Sequence, residues 1–295
     1  MLTFDFYSPE EEIFHPLYAE KKVRVFVKRD DLIHPYISGN KWRKLKYPLA
    51  EAKYNSKENL VTFGGAWSNH LLATACAGAK FGFQTHGFVR GERVDNPVLK
   101  LCSLFGMHLT FVDRTSYKDK KDLFEQHFGT DAKAYFIDEG GYSVLAAKGC
   151  SELIGELTHP YDHIFCACGT GATAAGLLMG LQQADLTTQL HTIPVLKGGQ
   201  FIKQAITDLG ITLDERFHMH LEYHFGGYAK TKPELIAFVQ QFTKGTGILI
   251  EPTYTGKMFF ALHDLLQKDE IAEGQRLLLV HTGGLTGLLG MLDKF

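Results

Sequence analysis

Residues 163–180 read HIFCACGTGATAAGLLMG, and this stretch indicates the fold of the whole chain. The run 163–168 is short and mostly apolar, as expected of a strand that is covered on both faces of a parallel sheet. Glycines and threonines at 169–173 then lead into a helical pattern. A strand that passes through a glycine-bounded turn into a helix is the repeating unit of an α/β protein.

Eight other short runs, mostly β-branched or aromatic, alternate with helical patterns along the 295 residues. This order predicts an α/β fold with mainly parallel sheets flanked by helices. Nine strands exceed the usual number for one small sheet, so we expect two sheets. The eight runs are VRVFV (23–27), LVTFG (60–64), QTHGFV (84–89), HLTFV (108–112), AYFID (134–138), HTIPVL (191–196), GILIE (247–251) and RLLLVH (276–281).

The composition, 45% hydrophobic and 22% charged, is that of a globular protein. A net charge of -2 at pH 7 does not indicate a nucleic-acid or anionic-membrane partner. Residues 1–12 lack the pattern of a secretory signal, and no apolar run approaches the roughly 20 residues that span a bilayer. The five cysteines suit reduced thiols, and we interpret CAC at 166–168 as buried strand because it lacks a second pair of metal ligands. We therefore expect a cytoplasmic protein without a metal site.

Two strand-to-helix turns contain groups that bind anions, and ligands of open α/β sheets bind beyond the carboxyl ends of the strands. In GGAWSN (64–69), Ser68 or Asn69 either caps the following helix or binds an anion such as a carboxylate. GTGAT (169–173) matches neither a Walker loop nor GxGxxG. It indicates either a phosphate cradle at a helix N-terminus or a plain tight turn.

Two further turns, YTGK (254–257) and HTGG (281–284), are weak signals when each is taken alone. By itself, Tyr254 is also compatible with a packed surface aromatic. The stretch SGNKWRKLKY (38–47) is more unusual, since it has four cations in six positions. Either these cations belong to a solvated helix start, or they surround an anion and one lysine is a reactive group.

Together these motifs resemble one family. SGNKWRKLKY, GGAWSNH, GTGATAAGL, YTGK and HTGG stand in the order seen in the 1-aminocyclopropane-1-carboxylate deaminase and D-cysteine desulfhydrase family. Its members are pyridoxal 5'-phosphate (PLP) enzymes of fold type II, the tryptophan-synthase β-subunit type, and the resemblance covers about residues 23–287. It implies two α/β domains with PLP between them. We expect residues 1–44 plus 158–295 to form the larger PLP-binding domain and residues 45–157 the smaller domain.

The resemblance also assigns roles to the cations. Lys41 resembles the lysine that forms a Schiff base with PLP, and such an amine must be available without its proton. Arg43 and Lys46 are expected to help to lower the pKa of Lys41 electrostatically. Lys44 resembles a lysine that contacts the PLP phosphate.

The remaining site residues follow from the resemblance position by position. Asn69 resembles the amide that bonds the PLP ring hydroxyl, and Ser68 and His70 resemble residues around the substrate carboxylate. Around the cofactor the full expected set is Lys41, Lys44, Asn69, Gly169, Thr170, Gly171, Ala172, Thr173, Thr255 and Thr282. Around the substrate and the chemistry it is Lys41, Trp67, Ser68, Asn69, His70, Tyr228 and Tyr254.

Two of these positions bear on the reaction. In members that open the cyclopropane ring, the residue after the tyrosine is typically Glu and the HTGG threonine is Leu, whereas this chain has Thr255 and Thr282. A carboxylate at the pyridine nitrogen favours a strong electron sink, while hydroxyls suit β-elimination, in which a thiolate leaves easily. We therefore predict a lyase that converts a small D-amino acid, D-cysteine, to pyruvate, sulfide and ammonia.

Other functions stay open from the sequence. One is ring opening of 1-aminocyclopropane-1-carboxylate to 2-oxobutanoate and ammonia, and another is dehydration of a hydroxy amino acid. A third is a noncatalytic protein that binds a phosphate ligand, against which Lys41, Tyr228 and Tyr254 argue. We also expect a small amino acid as the substrate and a homodimer as the assembly, with no nucleic-acid or membrane partner.

The chain departs from the family pattern at several positions. Trp67 stands where relatives usually have Gln, Ser143 where Asn is usual, and Glu251 where Asp precedes the proline. These changes concern the substrate more than the cofactor, and Trp67 is expected to narrow the pocket. Because proline disfavours a helix interior, we expect a short turn at 41–47 and a new helix near Pro48.

Overall fold

The computed structural model of the protein describes Leu2 and residues 4–295. Its strands are β1 (Glu10–Ile13), β2 (Arg24–Lys28), β3 (Asn59–Gly65), β4 (Gln84–Arg90), β5 (Met107–Val112), β6 (Ala134–Ile137), β7 (His163–Cys168), β8 (Gln189–Pro194), β9 (Phe217–Met219) and β10 (Arg276–Val280). Its α-helices are α1 (Pro16–Glu20), α2 (Asn40–Tyr54), α3 (Asn69–Phe81), α4 (Pro97–Leu104), α5 (Lys120–Phe128), α6 (Val144–Gly155), α7 (Ala172–Gln183), α8 (Phe201–Asp208), α9 (Pro233–Thr246) and α10 (Thr255–Gln267). Over this described part, no helix has the length and apolar character needed to cross a membrane.

The strands form two sheets, which confirms the predicted α/β class. The larger sheet has the order β1-β2-β10-β7-β8-β9, and the smaller has β5-β4-β3-β6. All neighbours are parallel except β1, which runs antiparallel to β2 at the edge of the larger sheet. The carboxyl ends of parallel strands lie at one edge of a sheet, so the turns after β7 and β10 are brought together.

Helix α2 connects the two sheets and packs on α6, which packs in turn on α7. The approach of α2 and α6 is close because Gly149 lacks a side chain, and a Cβ there would overlap the carbonyl oxygen of Arg43. The domain boundary that we propose between residues 44 and 45 falls inside α2. The proposed boundary between residues 157 and 158 follows α6.

The expectation for Pro48 is wrong, since α2 is one helix that contains this proline. A proline in a helix interior costs about 3 kcal/mol. Trp42, Leu45 and Leu49 are 2%, 0% and 0% exposed, and each such burial contributes about 1.5–3 kcal/mol. Packing of the buried face of α2 therefore offsets the missing hydrogen bond.

The strand predicted at 247–251 is also wrong, and β1 and β9 were not predicted. Ile248 and Ile250 are buried in the core beside α9 and α10, but the segment has no strand assignment. The carbonyl of Leu249 accepts a hydrogen bond from His281 Nε2 at 2.8 Å. The apolar run therefore reflects burial without strand pairing.

Candidate active site

A cavity of about 940 Å³ lies at the carboxyl ends of β3, β7 and β10. Most of the predicted site residues line it: Lys41, Trp67, Ser68, Asn69, His70, Gly169, Thr170, Tyr228, Tyr254 and Thr282. Five other predicted residues do not line it: Lys44, Gly171, Ala172, Thr173 and Thr255. Among the described residues, no cluster of His, Cys, Asp or Glu could hold a metal ion.

The glycine turns bring three distant motifs into contact. Gly39 has a φ of +59°, and a Cβ there would overlap the carbonyl oxygen of Thr282. The amide of Gly284 donates to Ser38 Oγ at 3.2 Å, while a side chain on Gly284 would collide with Asn69. The loop before Lys41, the HTGG turn and the start of α3 are therefore packed directly against one another.

Lys41 is a half-buried lysine that lines the cavity. Burial lowers its pKa well below the ordinary value, and the charge of Lys44 lowers it further. Arg43 and Lys46 do not have the expected role, because Arg43 binds Asp30 and Glu156 and Lys46 binds Glu152. The pKa of Lys41 thus favours a neutral amine, and the cationic neighbour responsible is Lys44.

Lys44 lies close to the site without lining the cavity. It is 4% exposed, and its Nζ donates to the carbonyl oxygen of Gly140 at 3.2 Å. Burial lowers the pKa of Lys44. Its contact with a phosphate stays a prediction.

The loop at 169–173 has the features of an anion cradle. Gly171 has a φ of +90°, which favours glycine, and α7 begins directly after it. Within the described residues, the buried hydroxyl of Thr170 has no hydrogen-bond partner. Asn40 Nδ2 donates to Thr173 Oγ1 at 2.9 Å, which ties the loop to the start of α2. An unpaired hydroxyl beside free helix amides fits the phosphate of PLP.

Ser68 and His70 lie at the start of α3. Ser68 Oγ accepts from the amide of Leu71 at 3.2 Å, so this residue is the N-cap and its hydroxyl proton is available to a ligand. Thr62 Oγ1 donates to the carbonyl of Ile137 and therefore accepts from His70 Nε2, both at 2.8 Å.

The remaining ring nitrogen of His70, Nδ1, is a buried acceptor that has no partner in the described chain. Burial, followed by the charges of Lys41 and Lys44, lowers the pKa of His70 well below its ordinary value. His70 is therefore neutral. In this tautomer its Nδ1 suits an N–H donor, such as an amine, rather than a carboxylate.

Tyr228 and Tyr254 form an edge-to-face pair with ring centroids 5.9 Å apart and an interplanar angle of 73°. Gly169 provides the space for this pair, since a Cβ there would lie 3.3 Å from the hydroxyl of Tyr254. Burial raises the pKa of Tyr254 well above its ordinary value, and Tyr228 adds to the effect. Both phenols therefore keep their protons at neutral pH and can act as proton donors.

Glu251 is a cavity residue to which the sequence analysis gave no role. It is 1% exposed, and its carboxylate caps α10 by accepting from the amides of Thr253, Tyr254 and Thr255 at 2.7, 2.8 and 2.8 Å. Burial raises its pKa despite these donors. The Thr255 hydroxyl accepts from the Glu251 amide at 2.9 Å and belongs to the same cap. Of the two threonines predicted near the pyridine nitrogen, Thr282 alone lines the cavity.

The cavity lining also contains charged residues of both signs that the sequence did not predict. Arg90, Arg114 and Lys120 line it together with Glu92 and Glu139. Glu139 lies 3.8 Å from Arg90 Nη1 and 3.5 Å from Lys120 Nζ. The available signal was the position of Arg90 at the carboxyl end of β4, where ligands of α/β proteins bind.

Two of the departures from the family pattern have different surroundings. Trp67 lines the cavity and packs against the C-terminal segment, where a Cβ on Gly290 would lie 2.9 Å from its ring. Ser143 does not line the cavity, and its Oγ accepts from the amide of Ala146 at 3.0 Å as the N-cap of α6. Of these two residues, Trp67 is the one that can contact the substrate directly.

Comparisons with known proteins agree with this geometry. The family model described as "Pyridoxal-phosphate dependent enzyme" matches residues 14–283. A protein of Pyrococcus horikoshii, named as a candidate 1-aminocyclopropane-1-carboxylate deaminase, is 32% identical over 92% of this chain and 87% of its own length. A bifunctional D-cysteine desulfhydrase/1-aminocyclopropane-1-carboxylate deaminase of Arabidopsis thaliana is 28% identical over 92% of this chain and 74% of its own length. A crystal structure of an ACC deaminase homologue superposes with a TM-score of 0.85 at 30% identity, covering 98% of this chain and 93% of that one.

Proposed function

We propose that the substrate of this protein is a small D-amino acid with a β leaving group. The proposal rests on family membership, since the chain belongs to the pyridoxal-phosphate dependent enzyme family and to its 1-aminocyclopropane-1-carboxylate deaminase and D-cysteine desulfhydrase branch. Because it belongs to this family, the chain is a PLP-dependent lyase. The reaction that we propose is D-cysteine plus water giving pyruvate, hydrogen sulfide and ammonia.

The cavity residues divide the work of such a reaction among them. When bound, PLP supplies an electron sink for the bonding pair of the substrate α-carbon. The neutral amine of Lys41 can accept the α-proton, because burial and Lys44 lower its pKa. The Ser68 hydroxyl and the amides at the start of α3 can bind the substrate carboxylate. Tyr254 or Tyr228 can donate a proton to the departing sulfur, since Tyr254 keeps its proton at neutral pH.

The observation that supports elimination over ring opening is the chemistry around Thr282 and Glu251. Thr282, whose side chain is a hydroxyl donor and acceptor, lines the cavity. Glu251 also lines the cavity, and its carboxylate already accepts from three amides. Because three amides already donate to Glu251 as the cap of α10, this carboxylate is committed to the helix start rather than to a protonated pyridine nitrogen. A weaker electron sink suffices when the leaving group is a thiolate.

Ring opening of 1-aminocyclopropane-1-carboxylate is the second candidate. The Pyrococcus relative is named after that activity alone, and the Arabidopsis relative is named after both activities. The two reactions give different keto acids, so they are separated by their products.

The test offers D-cysteine, L-cysteine, D-serine and 1-aminocyclopropane-1-carboxylate separately to the purified PLP-loaded protein. We expect sulfide and pyruvate in equal amounts from D-cysteine, with much slower turnover of the other three. Efficient formation of 2-oxobutanoate from 1-aminocyclopropane-1-carboxylate, together with no sulfide from D-cysteine, would overturn the proposal. It would also show that the surroundings of Thr282 do not set the reaction.

A further inference from the structure

Lys257 is a fully buried lysine of α10 that has no part in the reaction as described above. Its Nζ donates to the main-chain carbonyls of Val195 at 3.3 Å, His224 at 2.8 Å and Gly227 at 2.8 Å. An ammonium group has three N–H donors and no acceptor, so three carbonyl oxygens satisfy it completely. The three carbonyls therefore form an internal cation site that the side chain of Lys257 fills.

The loop bound by Lys257 has an unfavourable backbone. Phe225, Gly226 and Gly227 have φ values of +51°, +97° and +122°. Such a run persists only when its surroundings hold it, above all at the non-glycine residue. Lys257 binds the carbonyls of His224 and Gly227, which lie on either side of the turn. The ammonium therefore bridges the two sides of this turn and stabilises its backbone conformation.

This loop ends at a candidate proton donor. Tyr228 follows Gly227 directly, and its ring packs against Tyr254, which lies at the start of the helix that contains Lys257. The third carbonyl, that of Val195, joins the loop to the segment after β8. One buried cation thus links the helix start of one tyrosine to the loop of the other.

A buried ammonium is a costly way to fill a protein core. Burial lowers the pKa of Lys257 to about 8, and Glu251 opposes that shift in part. Its neighbours Met258 and Phe259 fill the same core with apolar side chains. A lysine at this position therefore needs a reason other than packing, and the three carbonyls provide it.

We propose that Lys257 is a positioning residue whose ammonium occupies the carbonyl site and holds Tyr228 against Tyr254 at the cavity. The role of Tyr228 in proton transfer rests on the proposed function. The cation site itself does not, since it is a property of the fold.

The experiment compares Lys257→Ala, which empties the site, with Lys257→Met, which fills it with an apolar chain. Hydrogen–deuterium exchange of residues 224–228 is measured in the full-length PLP-loaded protein. We expect exchange about 10-fold faster in both variants, because the loop loses its two hydrogen bonds to Lys257. Ammonium chloride should restore slow exchange in Lys257→Ala alone. Tetramethylammonium chloride at equal ionic strength, which has no N–H donor, should restore neither variant.

Turnover of D-cysteine provides the second readout. We expect kcat of Lys257→Ala to fall about 10²-fold with a smaller change in KM, because a misplaced acid affects chemistry more than binding. Ammonium should recover part of that loss. Lys244→Met, which removes an exposed charge from α9, should leave both readouts unchanged.

These outcomes test the role of Lys257 independently of the proposed substrate. Unchanged exchange at residues 224–228 in both variants, or no rescue of Lys257→Ala by ammonium, would overturn it. If Lys257→Ala does not fold, Lys257→Gln keeps two N–H donors without the charge and should show an intermediate exchange rate. A wild-type protein without activity on D-cysteine would refute the proposed substrate, and the exchange data would still test Lys257.

Discussion

Replacing Arg43 with methionine is expected to cost about 3–5 kcal/mol of folding free energy, because it breaks a buried ion network. Arg43 is 3% exposed and binds Asp30 through Nε and Nη2, both at 2.7 Å. It also binds Glu156 through Nη1 at 2.7 Å and Nη2 at 2.8 Å. These contacts join the end of β2 to α2 and α6, and they fix the helix that begins beside Lys41.

Most of the folding free energy that Arg43→Met is expected to lose comes from the contact with Asp30. This carboxylate is 0% exposed, and in the described chain its other side-chain partner is the Ser8 hydroxyl at 2.6 Å. Removing Arg43 therefore leaves a buried charge without its counter-ion, which accounts for the 3–5 kcal/mol range. The side chain of Glu156 is 30% exposed and keeps Lys28 at 3.1 Å, so it contributes about 1 kcal/mol or less.

The contribution of Glu156 should also depend on pH. Burial raises its pKa, but Arg43 and Lys28 outweigh that effect, and the folded pKa lies below the ordinary value of 4.5. A carboxyl group with a depressed folded pKa stabilises above its unfolded pKa, and this stability is lost as the pH falls through the folded pKa. The stability that Glu156 contributes is therefore present at pH 7, begins to fall near pH 4.5 and is lost as the pH drops through the lower folded pKa.

The matched control is Lys46→Met, three positions later in α2. Lys46 binds Glu152 at 2.7 Å with side chains 22% and 34% exposed, so its loss should cost about 1 kcal/mol or less. Urea unfolding at pH 7, followed by far-UV circular dichroism, gives the midpoint and slope for both variants. Equal losses in the two variants, or a loss below about 1 kcal/mol for Arg43→Met, would refute this assignment of the cations.

Three other predictions follow from the site. Tyr254→Phe should lower kcat by about 10²–10⁴ and leave the visible absorbance of bound PLP unchanged, as measured by steady-state kinetics and spectroscopy. Gly171→Ala should destabilise the protein by about 1–2 kcal/mol in urea unfolding and weaken PLP binding in titrations, because φ at this residue is +90°. Gly245→Ala, in open space on α9, should instead stabilise the protein by about 0.5–1 kcal/mol. Lys44→Met should raise the pKa of Lys41 by removing a like charge, so the acid limb of PLP binding by the apoprotein should move to higher pH.

The sequence predicts most strands because each combines apolar continuity with a glycine-bounded turn, as at 163–171. The prediction fails where local composition and tertiary context disagree. Residues 247–251 have the composition of a strand, but they are buried beside helices without strand pairing. Pro48 lies inside a helix because the buried face of α2 outweighs the local penalty.

The candidate site is predictable to the extent that its residues lie in short motifs. Lys41, Asn69 and Thr170 occur in such motifs, and all three line the cavity. Glu251 and Lys257 were missed as functional residues because their partners are main-chain amides and carbonyls brought in by distant turns. A single sequence does not show where such backbone groups meet.

The claim that the three turns form one PLP site around Lys41 is tested most directly by locating the bound cofactor. The PLP-loaded protein is reduced with borohydride and digested, and the pyridoxyl label is mapped by mass spectrometry. The geometry predicts the label on Lys41 alone, since Lys41 lines the cavity between the three turns and burial lowers its pKa well below the ordinary value. A label on Lys44 or Lys257 instead would contradict the assignment.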